Sequence, residues 1–305
     1  MILGNNKNVR VLDGGGRRKR PASGLAPECP AIDSRPRRCG VSVIVLISIA
    51  LLCASAGLWL PGNPAYMDFD AISAPPGAGH PFGTDQLGRD LFRMVFYGGR
   101  VSLFIGIVAA GVTALIAVVY GAVSGLAGKF ADDVMMRATE LLLSIPSILY
   151  VVSLQAIIGR PTALSIALVI GVTSWMNIAK IVRSEVRQLR RSEYVTAAAI
   201  SGAKLSYLLR RHLFPNFLPP ILFMVISNVG QAIIAEATLS FIGIGLPQNV
   251  VSWGTLIALS QDALLTNSWW IILIPVAFLI TVLVCIANIG ESFRTAGAAP
   301  TSYLI

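Results

Sequence analysis

The sequence predicts an all-α polytopic membrane protein with about six transmembrane helices and a long charged loop between the fourth and the fifth. Hydrophobic residues make up 55% of the chain and charged residues only 13%, whereas about a quarter of a typical soluble domain is charged. The apolar residues are gathered into long runs, which favours lipid as their surroundings. Basic residues are concentrated in alternate connecting segments, as expected for a chain that crosses a membrane repeatedly.

Six apolar runs are long enough to cross a bilayer, which takes about 20 residues in a helix. In chain order they cover residues 41–60, 102–124, 141–158, 163–182, 217–241 and 269–289. We expect each run to be an α-helix, because an isolated strand would leave backbone N–H and C=O groups unpaired in lipid. The first run is longer than the apolar core of a secretory signal, which is roughly 7–15 residues, so we expect an uncleaved span.

The distribution of basic residues predicts the orientation of these spans. With the N-terminus inside, 20 of the 24 Lys and Arg residues fall in inner segments, and basic residues typically mark the cytoplasmic side of a membrane protein. Both termini are then cytoplasmic, as is the loop between spans four and five. The opposite orientation would invert this imbalance and is rejected.

The chain divides into three regions. Residues 1–40 contain a run of three glycines, several prolines and many basic residues, which predicts a disordered cytoplasmic tail. Residues 41–294 form the transmembrane domain, and residues 295–305 form a short cytoplasmic tail. The net charge of +9 could suit nucleic acid, but no aromatic residues are interleaved with the basic residues of the first tail to stack on bases. We therefore expect the lipid bilayer, and no nucleic acid, as a partner.

The loop between spans four and five carries the most informative pattern. Arg183, Arg187 and Arg191 are four residues apart and therefore share one face of a helix. The alanines at 197–199 leave a smooth surface that another backbone can approach. Gly202 permits a turn, and a proline at 215 ends a second short helix before the next span. A helix–turn–helix lying across the membrane face is predicted, and by its chemistry alone it could also rest on lipid headgroups.

This loop resembles the signature loop of ABC importer permeases. In that family an acidic residue and two alanines are followed, after three residues, by glycine and then by a more distant Leu-Pro. Here Thr196 stands at the acidic position and Phe214 at the leucine position. The resemblance implies a coupling helix that sits in a groove on a separate ATPase. The residues that carry the match are Glu193, Tyr194, Ala197, Ala198, Gly202, His212, Pro215 and Asn216.

Further motifs occur in the family's order and identify the chain as similar to the C-type permease of the dipeptide, oligopeptide and nickel importers. They are FGTDQLGRD at 82–90, GRVSL at 99–103, the charged entry to the third span at 132–146, LSFIGIGL at 239–246 and Trp-Gly at 253–254. In the first motif, Asp85, Arg89 and Asp90 could knit together a turn at the outer surface. The resemblance extends from about residue 41 to residue 294.

The resemblance implies a non-catalytic subunit that translocates dipeptides or oligopeptides by alternating access in the plasma (inner) membrane. The expected partners are a B-type permease subunit in a heterodimer, two cytoplasmic ATPase subunits and an extracytoplasmic substrate-binding protein. The chain lacks the phosphate-binding pattern GxxxxGK[ST]. We therefore expect no cofactor or metal on this chain, with ATP and magnesium on the ATPase subunits.

The alternative functions are an importer of nickel or metal chelates, an ion channel or secondary transporter, and a membrane enzyme. The same permease motifs occur in importers of nickel or metal chelates, so the substrate stays open. An ion channel or a secondary transporter would show a selectivity filter, inverted repeats or broken helices, and none is clear in the sequence. A membrane enzyme would require clustered histidines or carboxylates within spans, whereas His80 and His212 are far apart in the sequence and lie outside the predicted spans.

Glu236 is the most notable residue within a predicted span, because a carboxylate in lipid is costly and commonly functional. At about 100° per residue, Asn228, Gln231, Glu236 and Thr238 fall within one broad arc of span five. That face is expected to look toward protein or water. Glu236 could line the pathway, in which case Glu236→Gln should impair uptake without affecting assembly. It could instead pin spans together, which its place toward the outer end favours.

Overall fold

The computed structural model describes residues 35–192, 214–261, 263 and 268–297, and these residues form eight α-helices without a β-strand. In chain order the helices are α1 (Arg35–Trp59), α2 (Leu91–Leu126), α3 (Lys129–Leu143), α4 (Ser147–Ile158), α5 (Ala163–Arg190), α6 (Phe214–Phe241), α7 (Trp253–Leu259) and α8 (Trp269–Gly297). The predicted all-α fold class is confirmed for this part of the chain.

Five of these helices are long and apolar enough to cross a membrane, namely α1, α2, α5, α6 and α8, and the count is six if α3 and α4 form one broken span. Large apolar side chains cover their outer surfaces, with Leu51 64%, Ile107 63% and Leu115 68% exposed. Such a surface is stable in contact with lipid rather than water. The predicted polytopic architecture is therefore confirmed.

The third predicted span, residues 141–158, is wrong as a single straight helix. It straddles α3 and α4, which meet at an angle of 84°. The break holds Pro146, which has no N–H and disfavours a helical conformation at Ile145. At the end of α3, Ser144 Oγ donates a hydrogen bond to the Leu141 carbonyl at 2.7 Å. The 12-residue α4 is too short to cross a bilayer alone.

Several helices extend beyond the predicted apolar runs. α2 begins at Leu91 rather than at residue 102, where Asp90 Oδ1 accepts a hydrogen bond from the Phe92 N–H at 2.9 Å. α5 continues past residue 182 to Arg190, and α1 begins at Arg35, within the region predicted to be a tail. α7 lies between spans five and six, where only a loop was expected.

Helices α2 and α5 pack closely along most of their length because small residues face each other, as is common in membrane helix pairs. A Cβ atom on Gly121 would lie 2.5 Å from the Ala179 carbonyl oxygen and 2.7 Å from Val182 Cβ. Toward the other end of the pair, Thr113 Oγ1 donates a hydrogen bond to the Gly171 carbonyl at 3.0 Å. The two helices therefore form a tightly packed unit.

The bundle has two distinct ends. We call the end that holds the starts of α1 and α6 and the C-terminal end of α5 the basic end, because Lys180, Arg183 and Arg187 lie there. At this end Asn288 Nδ2 donates a hydrogen bond to Ser42 Oγ at 3.1 Å, which ties α8 to α1. We call the opposite end, where residues 60–90 and 242–252 connect the helices, the loop end.

The turn predicted from Asp85, Arg89 and Asp90 is present at the loop end. Asp85 and Arg89 are each only 4% exposed and form an ion pair with a separation of 2.6 Å. Asp85 Oδ1 also accepts the Arg89 N–H at 2.8 Å. Gly88 has a φ of +73°, and a Cβ atom there would overlap the Asp68 backbone. Only glycine fits this position, so the conformation of the turn depends on Gly88.

Candidate functional site

Six of the eight residues predicted for the coupling loop lie outside the described residues, namely Glu193, Tyr194, Ala197, Ala198, Gly202 and His212. The structure describes the two helices that bracket them. α5 ends at Arg190, and α6 begins at Phe214, so that Pro215 and Asn216 lie in its first turn. Proline is compatible with that position because the first N–H groups of a helix have no intrahelical partner. Both helices reach the loop from the basic end.

The basic face predicted before the loop is partly confirmed. Arg183 and Arg187 lie on one side of α5, and both contact the carboxylate of Asp132 on α3. Arg191 is the C-cap residue of α5 and is exposed. The three arginines therefore do not form one continuous basic surface. Two of them bind an internal carboxylate, and the third faces outward beside the loop.

Glu236 lies within α6 and its side chain is completely buried, with 0% exposure. Three serine hydroxyls donate hydrogen bonds to its carboxylate. Ser252 Oγ and Ser240 Oγ bind Oε1 at 2.7 and 2.9 Å, and Ser102 Oγ lies 3.3 Å from Oε2. These serines come from three places in the fold: the start of α7, α6 itself and α2. A buried carboxylate requires such donors, because leaving it unpaired is costly.

The same serines hold the start of α7. Ser102 Oγ accepts the Trp253 N–H at 3.1 Å, and Ser252 caps α7 by accepting the Thr255 N–H at 3.0 Å. The Trp253 side chain is fully buried, and its Nε1 donates to the Val95 carbonyl at 3.0 Å. Glu236 is therefore the centre of a hydrogen-bond network that joins α2, α6 and α7 at the loop end.

Gly254 allows α7 to approach this carboxylate. A Cβ atom at this position would lie 2.6 Å from Ala237 Cα and 2.8 Å from Glu236 Oε1. Both distances are too short for a side chain to be accommodated without displacing α7. The Trp-Gly pair singled out in the sequence is thus explained by packing: the tryptophan anchors α7, and the glycine makes room for the Glu236 network.

The structure separates the polar residues predicted to share one face of span five. Asn228 is 5% exposed and Glu236 is fully buried, whereas Gln231 and Thr238 are exposed. The exposed face that carries Gln231 also presents Ile234, which is 47% exposed. Asn228 and Glu236 face the interior of the bundle, and Gln231 faces away from it.

A cavity of about 690 Å³ opens at the loop end between α4 and the segment that follows α6. Ser240 and Thr255, which belong to or flank the Glu236 network, line it. Gln155 on α4 is also in its wall, and the Gln155 amide has no hydrogen-bond partner among the described residues. Sequence reasoning missed both the cavity and Gln155, because neither a motif nor a periodicity marks a glutamine in an apolar run.

The described residues contain no group of three or more His, Cys, Asp or Glu side chains that could hold a metal ion. Long helices run between two differently built ends, a buried polar network joins three of the helices, and an open cavity lies beside that network.

A family model described as the binding-protein-dependent transport system inner membrane component matches residues 117–292. This range begins within α2 and reaches nearly to the end of α8, and it includes the loop between α5 and α6. It also contains Glu236 and both of the serines that bind Oε1.

Individual relatives extend the match over most of the chain. The oligopeptide transport system permease protein OppC of Bacillus subtilis (strain 168) is 36% identical over 256 residues, which are 84% of this chain and 83% of the relative. The dipeptide transport system permease protein DppC of the same organism is 34% identical over 254 residues, 83% of this chain and 79% of the relative. A putative peptide transport system permease protein of Brucella suis biovar 1 (strain 1330) is 36% identical over 253 residues, 82% of this chain and 84% of the relative. The chain belongs to the family of binding-protein-dependent transport system inner membrane components, as a permease of the C-type.

Proposed function

We propose that this chain is one permease subunit of an ATP-driven importer of dipeptides or oligopeptides. The observation that carries the proposal is the similarity, over more than four-fifths of the chain, to permeases named for oligopeptide and dipeptide transport. The complex would contain a second permease of the B-type, two ATPase subunits with ATP and magnesium, and an extracytoplasmic binding protein. This chain would supply half of the pathway and no catalytic group.

The proposed orientation in the inner membrane puts the basic end in the cytoplasm, since most of the Lys and Arg residues that the structure describes lie toward that end. The ATPase subunits would then bind residues 193–216, which α5 and α6 present at this end. Movement of these residues would be carried along both helices to the loop end. There, the Glu236 network and the neighbouring cavity would change together as the pathway opens alternately to each side.

The exposed face of α6 supports the pairing with a second permease. Gln231 lies in the middle of an apolar span and is exposed in the single chain. A polar amide in contact with lipid is unfavourable, so this face fits a water-filled pathway or a partner helix. Glu236, by contrast, is satisfied entirely within the chain, which supports a role in holding α2, α6 and α7 together.

Replacing Gly202 with tryptophan tests the proposed coupling loop. In the reconstituted complex we expect binding-protein-dependent ATP hydrolysis to persist while uptake of a labelled oligopeptide falls, because the bulky side chain would disturb the fit of the loop to the ATPase. A coupling loss of about 1–3 kcal/mol corresponds to a decrease in uptake of about 5–150-fold.

Gly40→Trp is the matched control, because Gly40 lies on α1 near the basic end and a Cβ atom there meets nothing within 4 Å. The control should transport at the wild-type rate. If Gly202→Trp keeps both uptake and ATP hydrolysis at wild-type levels, residues 193–216 are not the coupling element.

A further inference from the structure

The basic end contains a second buried carboxylate, Asp132, in the first turn of α3. Its side chain is 0% exposed. Ser124 Oγ on α2 donates to Oδ1 at 2.6 Å. Arg183 on α5 donates from Nε to Oδ1 and from Nη2 to Oδ2 in a two-pronged pair, and Arg187 Nη2 lies 2.8 Å from Oδ2. One carboxylate on α3 thus binds side chains of two other helices, α2 and α5.

Weaker polar contacts extend this connection along α5. Lys180 Nζ lies 3.8 Å from Glu140 Oε1 on α3. Arg190, the last residue of α5, donates from Nη1 to the Leu126 carbonyl at the end of α2 at 3.0 Å. Together with Arg183 and Arg187, these residues follow a spacing of three or four, so one face of α5 is directed at α2 and α3.

Packing shows why the contact to α3 depends on these polar groups. α5 is joined to α2 by close packing at Gly121 and again at Gly125, where a Cβ atom would lie 2.9 Å from Val186 Cβ. α3 buries fewer side chains than α2 or α5, and only three of its residues are buried: Asp132, Met136 and Thr139. The carboxylate of Asp132 is therefore a fully buried polar contact that joins α3 to both α2 and α5, and Tyr120 on α2 adds a hydrogen bond from its hydroxyl to the Met135 carbonyl of α3 at 2.8 Å.

The position of this connection in the chain gives it a consequence for transport. Arg187 lies six residues before the start of the proposed coupling loop, on α5, which ends at Arg190. α3 continues through the bend of 84° into α4, which lines the cavity at the loop end. If a displacement of the loop moved α5, α3 would move with α5. Because α3 continues into α4, the wall of the cavity would then move as well.

We propose that Asp132 is a positioning residue for transport, a strut that makes α3 and α4 follow α5 when the ATPase subunits move the coupling loop. This inference rests on the proposed function of residues 193–216. Without the strut, α5 and α2 would still move with the loop, but α3 would lag behind, and ATP would be hydrolysed without a matching opening of the pathway.

The test uses the fully assembled complex in proteoliposomes and measures ATP hydrolysed per labelled oligopeptide taken up. Asp132→Asn removes the charge that holds both arginines, and we expect the ratio of ATP to peptide to rise by about fivefold or more. Asp133→Asn is the matched control: it makes the same substitution one residue further along α3, at an exposed position, and should leave the ratio unchanged.

If the Asp132→Asn complex does not assemble, a milder variant still tests the proposed role of Asp132. Arg187→Gln removes one contact to Oδ2 and leaves the two-pronged Arg183 pair intact, so the complex should assemble and the ratio should rise by about two- to fivefold. A wild-type ratio in every assembled variant of Asp132 and Arg187 would overturn the strut.

Gly202→Trp measured in parallel separates this proposal from the one on which it rests. If Gly202→Trp uncouples the complex and the Asp132 and Arg187 variants do not, the proposed role of residues 193–216 is supported and the proposed role of Asp132 is wrong. If the Asp132 and Arg187 variants uncouple the complex and Gly202→Trp does not, α5 is moved by a route other than residues 193–216. The proposed role of Asp132 is then kept, and the proposed role of the loop is rejected.

Discussion

Glu236→Ala is expected to destabilise the assembled complex strongly and to abolish peptide uptake. The substitution removes the acceptor for three serine hydroxyls and leaves a void where the side chain is now fully buried. Each buried group left without a partner costs about 1–3 kcal/mol, so the combined loss should reach about 3 kcal/mol or more. The melting temperature of the complex in detergent, followed together with uptake, measures the effect.

Glu236→Gln is the control that separates packing from a role in the pathway. Glutamine keeps the shape and one carbonyl oxygen, which can still accept from Ser252 and Ser240. Its amide can donate to Ser102 Oγ, whose hydroxyl oxygen has room for a second donor. We expect this variant to assemble and to transport within about twofold of wild type. A stable Glu236→Gln complex that no longer transports would contradict the packing role and assign Glu236 to the pathway.

Gly121→Leu is expected to disrupt the α2–α5 unit. A Cβ atom alone would meet the Ala179 carbonyl oxygen at 2.5 Å, and a leucine side chain would force the two helices apart. Overpacking of this kind costs about 1–3 kcal/mol and occasionally more, and here a backbone atom, which cannot rotate aside, is the obstacle. The yield of assembled complex and its melting temperature should both fall.

Gly111→Leu provides a comparison on the same helix. Gly111 is exposed, and a Cβ atom there meets nothing within 4 Å. Leucine is favourable on a lipid-facing surface, so this variant should retain the wild-type melting temperature. Equal losses for the two substitutions would show that position 121 is not a close contact between α2 and α5.

The apolar runs were enough to predict five long helices, because a span that must bury its backbone polar groups has few alternatives. The prediction failed where a local breaker outweighed apolar composition. Pro146 divides the third run, which forms the end of α3 and the whole of α4 instead of one helix. α7 was missed because seven residues give too short a pattern, although Ser252 and Thr255 form a capping box that could have indicated its start.

The candidate site was predictable residue by residue but not as a network. Glu236 stood out because a carboxylate in a span is unusual. Its partner Ser102 is 134 residues away in the chain, a proximity that one sequence does not encode in any local pattern. Gln231 and Glu236 are five residues apart, which corresponds to a rotation of about 140° on a helix. One of the two can therefore be buried while the other faces outward.

The same limit applies to Asp132. In the sequence it is one charge among several at the entry to the third run, with no mark to distinguish it from Asp133. The structure separates them, since Asp132 is buried against α2 and α5 while Asp133 is exposed. Helical position within α3 decides which carboxylate meets Arg183 and Arg187, and that position depends on where α3 begins.

The proposed import of peptides is tested by uptake into proteoliposomes that contain this chain, its partner permease, the ATPase subunits and the binding protein. We predict that a labelled oligopeptide accumulates only when ATP and magnesium are present on the ATPase side and the binding protein is on the other side. Labelled nickel should not accumulate under the same conditions. Peptide flux through the permeases without ATP, or accumulation of nickel in place of peptide, would contradict it.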